Sequence, residues 1–216
     1  MVHSQELEAW INAGRRERLA GHGIFCRVQA APGKDPLLLI HGYPTASYDW
    51  HPLWAPLAER YSLYALDMLG FGFSDKPRNS GYPITLQADL CAALLAQHGV
   101  TRPHVLAHDY GDTVAQELLA WEVEGKLPLA SMCFLNGGLF PETHRARPIQ
   151  KLLAHKWTGP VVARAITYGT FKRTMHRIAG VNPPSEQALR DLWSLQVRDD
   201  GKRALARIIN YLEQRR

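Results

Sequence analysis

The sequence predicts an α/β protein in which a mostly parallel sheet is flanked by helices and followed by a helical segment. Three observations carry this expectation. Short apolar runs such as "PLLLI" and "PHVLA" recur, as strands buried on both faces do. Helix-patterned stretches separate them from about residue 36 to 138, and such alternation implies parallel strands joined by right-handed crossovers. After that point only amphipathic, helix-like segments remain.

The elements follow in chain order. "GIFCRVQA" (23–30) alternates apolar and polar residues as a half-exposed strand does, and "PGKD" then makes a turn. "PLLLIHG" (36–42) and "YSLYALDMLG" (61–70) read as buried strands. Thr85 can cap a helix that carries Leu86, Leu90 and Leu94 on one side and closes at Gly99. "PHVLAHD" is a third buried strand, the helix after it presents Val114, Leu118 and Trp121, and "LASMCFLNGG" (129–138) is a fourth strand. "PIQKLLAHKW", "PVVARAITYGTF", "SEQALRDLWSLQV" and "KRALARIINYLEQRR" then read as helices of a lid. The expected division is a core over 1–140 and a helical cap over 141–216, with the boundary near Pro141.

The chain has 216 residues, 46% hydrophobic and 21% charged, with a net charge of +5. That composition suits a soluble domain with a sizeable core. The positive charge is scattered without basic–aromatic alternation, so no nucleic acid is expected as a partner. The charged N-terminus has no apolar h-region and no run approaches the ~20 residues of a membrane span, so the expected location is cytoplasmic, away from membranes. Cys26, Cys91 and Cys133 stand in no metal-ligand spacing, and Cys91 and Cys133 are expected on apolar faces. No cofactor or metal is implied.

His41, Asp67, Asp109 and Asn136 all fall at carboxyl ends of expected strands, where open sheets of this type bind ligands. "AHDYG" (107–111) fits a strand–turn–helix elbow that usually exposes a serine, with Asp109 in its place. A carboxylate is ionised at neutral pH without a neighbouring base. Against an ester it gains nothing, because the tetrahedral adduct expels carboxylate more readily than alkoxide. Against a saturated carbon bearing a halide or a strained C–O bond it forms a stable alkyl ester, which water must then cleave. The alternative is an aspartate that only caps the next helix. Asp67 and Asp75, with Gly70 and Gly72, are expected to hold a tight turn beside the site, and His108 to point to the other face of its strand.

"HGYPTASYDW" (41–50), "ALDMLGFGFSDKP" (65–77), "HDYGDTVAQELL" (108–119), "NGGLFPETHR" (136–145) and "PPSEQALRDLW" (183–193) together resemble the α/β-hydrolase superfamily, in the branch of epoxide hydrolases and haloalkane dehalogenases. The resemblance implies Asp109 as nucleophile and a cap after Pro141. Backbone N–H groups of Tyr43 and Tyr110 would form the oxyanion hole. His41 and Gly42 would shape that loop, with Tyr43–Pro44 a candidate cis peptide; His41 has the simpler reading of a loop-fixing hydrogen bond. The resembling dehalogenases place Trp after the nucleophile and often Asn after His-Gly, where this chain has Tyr110 and Tyr43. An epoxide is therefore the favoured substrate, with a haloalkane as the alternative. "IINYLEQR" resembles the segment that supplies an acid tyrosine, which makes Tyr211 the candidate and Tyr168 a second; either can equally be an ordinary helix residue. Trp157 and Trp193 are expected to pack the lid against the core.

The family's base histidine and its acid partner would follow the cap, and no histidine here stands in a matching context. His144, His155 and His176 lie in the lid, and the alternative acid position is occupied by Asn136. The expectation is of a fold whose C-terminal strands are missing from this chain, and which pairs with that missing segment or a second chain. The alternative from a different class is a binding protein of this fold without turnover.

Overall fold

The computed structural model describes residues 3–140, 142, 148–155 and 157–214. Pro141 and His144 lie outside them. The chain enters through helix α1 (Gln5–Asn12) and builds strands β1 (Arg15–Leu19), β2 (His22–Gln29) and β3 (Asp35–Ile40). A 3-10 turn (Ser47–Trp50) and α2 (His51–Ala58) lead to β4 (Tyr61–Leu66) and α3 (Ile84–Gln97). Then come β5 (His104–His108), α4 (Tyr110–Val123) and β6 (Ser131–Leu135). Helices α5 (Pro148–Ala154), α6 (Gly159–Ala165), α7 (Tyr168–Ala179), α8 (Glu186–Val197), α9 (Gly201–Ile208) and α10 (Tyr211–Gln214) complete the description.

The sheet order is β1-β2-β4-β3-β5-β6. β3 lies between β4 and β5 and is parallel to both, and β6 extends the parallel part. β1 and β2 run antiparallel. From β3 the chain passes to β4 on one side and then to β5 on the other, so the strand order reverses beside β3 and opens a crevice at the carboxyl ends.

Alternation along the strands explains the two cores. Leu38, Ile40, Leu66, Val105 and Ala107 face α3 and α4, whereas Leu37, Leu39, Leu63 and Ala65 face α1 and α2. Leu205, Ile208, Ile209 and Tyr211, from α9 to α10, join the first core beside Phe71, Tyr82 and Tyr110. β6 alternates: Ser131, Cys133 and Leu135 are exposed while Met132 and Phe134 pack inward, so Cys133 is not on the apolar face expected for it. No described helix covers that face beyond β5, and Cys133 is consequently exposed.

Three other expectations change. α1 and β1 had no counterpart in the apolar pattern, although Ser4 caps α1 through the Leu7 amide (3.0 Å). The helix expected to start at a Thr85 cap begins at Ile84, with Pro83 at the cap. Trp157, expected to pack a lid on the core, is 77% exposed, while Trp193 packs against Phe171 (5.4 Å between centroids) within the later helices. No helix among the described residues is long and apolar enough to cross a membrane.

Candidate active site

The ends of β3, β4 and β5 bring the predicted residues together at the crevice. β3 ends in His41-Gly42, and the Tyr43–Pro44 bond is cis. β4 ends in Asp67, which accepts hydrogen bonds from Ser47 N (2.8 Å), Ser47 Oγ (2.5 Å) and Phe73 N (2.8 Å). That carboxylate pins the loops after β3 and β4 to each other. Gly72 (φ +45°) is required there, because a Cβ would lie 2.0 Å from Asp67 Oδ2. The turn expected around Asp67 and Asp75 is present, with Asp75 Oδ2 accepting from Gly23 N at 2.7 Å.

β5 is followed by Asp109, which turns sharply (φ 53°, ψ −112°) into α4. Positive φ at a residue with a Cβ is uncommon, and here it throws the side chain clear of the strand. The carboxylate makes no capping bond to α4, so the capping alternative fails. Asp109 Oδ1 instead accepts from the Tyr43 amide at 2.9 Å. Gly42 admits this approach, since a Cβ there would stand 2.9 Å from both Asp109 Cβ and His108 Nδ1. His108, expected on the other face of its strand, thus has its ring against the Gly42 loop.

His41 is a loop-fixing residue. Its Nε2 accepts from Met68 N (3.0 Å) and its Nδ1 donates to Gly42 O (2.8 Å), which fixes one neutral tautomer. Burial also holds its pKa below the usual histidine value, outweighing the pull of Asp67.

The Tyr110 ring is buried between Phe71 (5.9 Å) and Tyr211 (4.6 Å). Burial pushes the Tyr43 and Tyr110 phenols up, with the Tyr211 hydroxyl adding to both shifts. Tyr43 Oη donates to Leu205 O (3.4 Å), tying the loop after β3 to α9. Tyr211, 6% exposed, packs on the Tyr110 ring in the core beside α4. Tyr168 does not: its hydroxyl donates to Glu186 (2.9 Å) and its ring lies under Arg190. Asn136 (φ +55°) sits exposed at the end of β6. His155 accepts from the amides of Trp157 and Thr158, and His176 is exposed on α7, so neither is spent on Asp109.

Sequence reasoning missed two carboxyls. Asp49, half-buried in the turn after β3, has its Oδ2 hydrogen-bonded by Thr45 Oγ1. Burial, with the charges of Asp109 and Asp67, pushes it up to about 7, against the Thr45 hydroxyl and the Gly42 amide. Asp112, buried on α4 below Gly137, is likewise raised by burial to about 7. Their signal was an acid inside an apolar motif ("SYDW") and an acid on the inner face of a helix.

A raised carboxyl pKa stabilises the fold while the proton is bound. That contribution is full below about 3.8, the ordinary value, and is lost as pH rises through about 7. The unfolding free energy of the parent chain relative to Asp49→Asn is thus expected to fall between pH 4 and 8, by at most about 4 kcal/mol. Urea titrations at the two pH values measure it, and a pH-independent difference would contradict the assignment.

A groove of about 790 Å³ lined by Lys34, Asp35, His98, Arg102 and His104 opens at the amino ends of the strands. It lies at the opposite end of the sheet from Asp109.

Residues 35–169 match the family model described as alpha/beta hydrolase fold. The human mesoderm-specific transcript homolog protein is 39% identical over 223 residues, covering 99% of this chain and 67% of that protein. The putative hydrolase LipZ of Mycobacterium tuberculosis is 37% identical over 216 residues, covering 98% and 74%. The solved structure of epoxide hydrolase CorEH superposes with a TM-score of 0.77 at 18% identity, over 91% of this chain and 72% of that one. The sheet order, the elbow and these matches agree, and the chain belongs to the alpha/beta hydrolase fold family.

Proposed function

We propose that this protein is a hydrolase that opens small, apolar epoxides through an alkyl ester on Asp109, with residues 141–216 as the cap. The observation that carries the reading is the Asp109 side chain, presented at a positive-φ elbow, uncommitted to the helix after it and held by one loop amide. Oδ1, bound by Tyr43 N–H, becomes the ester carbonyl oxygen and Oδ2 attacks carbon. The Tyr43 amide then stabilises the oxyanion that forms when water adds to the ester, with the Tyr110 amide at the start of α4 as the second donor. Tyr211 hydrogen-bonds the epoxide oxygen; Tyr168, engaged by Glu186, takes no part in this arrangement.

Carboxyl groups of Asp49, Asp67 and Asp109 lie on the loops at the crevice, and burial keeps the phenols of Tyr43 and Tyr110 protonated. Both features favour an uncharged substrate whose oxygen accepts a hydrogen bond. A departing halide finds no indole or amide side chain at positions 110 and 43.

Incubation with styrene oxide, followed by mass analysis of the peptide containing residue 109, tests the reading. Either a trapped one-to-one adduct on Asp109 or formation of the diol is expected. Folded protein that gives neither with styrene oxide, and no adduct with 1-bromobutane, would leave the fold as a binding module.

A further inference from the structure

Taken a few residues at a time the positive charge is scattered, but over longer stretches it is not. Residues 143–185 hold eight Lys and Arg and no Asp or Glu, although the whole chain has 25 of the former and 20 of the latter. Helices α5, α6 and α7 fall in this stretch. Lys172 is neutralised by Glu186 (2.5 Å), from α8. Arg164, Arg173 and Arg177 are exposed, and no acid among the described residues pairs with them. The apolar side chains of α5 and α6 divide between two surroundings. Leu153 and Ala163 are buried in the first core, with Val162 packed against it. Leu152, Trp157 and Val161 are instead 48%, 77% and 66% exposed. The two helices are tied at their junction, where Thr158 Oγ1 donates to Leu152 O (2.8 Å) and a Cβ at Gly159 would lie 2.2 Å from Leu153 O. Thr158 already has helical backbone angles, so Trp157, Val161 and Arg164 fall at i, i+4 and i+7 on one side of α6.

Single exposed apolar residues are ordinary, but a tryptophan, a leucine and a valine beside unpaired cations match a partner that is apolar and anionic at once. A lipid surface is both, with phosphate headgroups outside and acyl chains beneath. A polynucleotide offers phosphates but no apolar layer for Leu152 and Val161. We propose that the α5–α6 hairpin docks this protein on an anionic lipid surface. Trp157, Leu152 and Val161 enter the boundary between headgroups and acyl chains, where indole rings are favoured, and Arg164 meets lipid phosphate. The acid-free stretch around them supplies the attraction at longer range. The contact is with one leaflet, since no helix among the described residues is long and apolar enough to cross a membrane. Docking of this kind owes nothing to the chemistry at Asp109.

Sedimentation of the whole chain with vesicles of equimolar phosphatidylglycerol and phosphatidylcholine, and with vesicles of phosphatidylcholine alone, tests the proposal once protein that pellets without lipid is subtracted. Partition onto the anionic vesicles is expected to exceed that onto the neutral ones by about 10-fold or more, and to fall by about 10-fold as NaCl rises from about 0.05 to 0.5 M. Trp157→Ser and Arg164→Gln are each expected to lower it about 3-fold or more. Neither should move the thermal midpoint, because both side chains are exposed. Brominated phosphatidylcholine in the anionic vesicles is expected to quench the tryptophan emission of the parent, and Trp157→Phe to remove most of that quenching. Failure to sediment with anionic vesicles, equal partition onto neutral ones, or a Trp157→Ser variant that binds like the parent would overturn the proposal. So would a tighter hold on DNA than on anionic vesicles, left unchanged by Trp157→Ser, since the charge would then serve a polynucleotide.

Discussion

Asp109→Asn is expected to abolish both adduct and diol, lowering the reaction with styrene oxide by at least about 10⁴-fold, as removal of a covalent nucleophile does. The amide is nearly the size of the carboxylate, and its oxygen can still accept from Tyr43 N–H, the one described bond to the Asp109 side chain. The thermal midpoint should therefore move by no more than about 3 °C, roughly the effect of 1 kcal/mol in a chain of this size. Activity and circular dichroism on the same preparation separate the two effects. An active asparagine variant would mean that Asp109 does not attack.

Gly111→Ala is expected to have the largest effect on stability. A Cβ at this position would lie 2.5 Å from Ile40 O and 2.7 Å from His41 O, both backbone atoms at the end of β3. Neither can yield as a flexible side chain does, so α4 must move away from the sheet. A cost of about 3 kcal/mol is expected for such overpacking, or a fall of about 6–12 °C in thermal midpoint. The displacement also carries Asp109 and Tyr110 away from the Tyr43 amide. Alkylation should therefore fall further than the stability loss explains when assayed well below the melting point. A variant melting within 2 °C of the parent would show that the contact is relieved elsewhere.

The strands β3, β4 and β5 could be read in advance because their runs of Leu, Ile, Val and Ala suit only a site covered on both faces. The elbow could be read because Asp109 and Gly111 hold fixed places between a strand and a helix. β1 could not. "RRERL" carries four charges in five residues, and its inward Glu17 is tolerated only because Arg15, Gln97 and His98 hydrogen-bond it. Two of those partners lie at the far end of α3. Asp49 was hidden for the same reason. Its neighbours Asp67 and Asp109 arrive from the ends of other strands, and no local pattern marks an acid whose surroundings are assembled at long range. β6 was read correctly as a strand, but Cys133 was misplaced on an apolar face, because an apolar composition signals burial only when something covers both faces.

The two outer strands of the described sheet are unlike. β1 borders the sheet with Arg15, Arg16, Glu17 and Arg18, whereas β6 borders it with Ser131, Met132, Cys133, Phe134 and Leu135, among which there is no charge. Charged borders repel a foreign strand and neutral ones admit it. A strand offered to the described sheet is therefore admitted along β6 and resisted along β1.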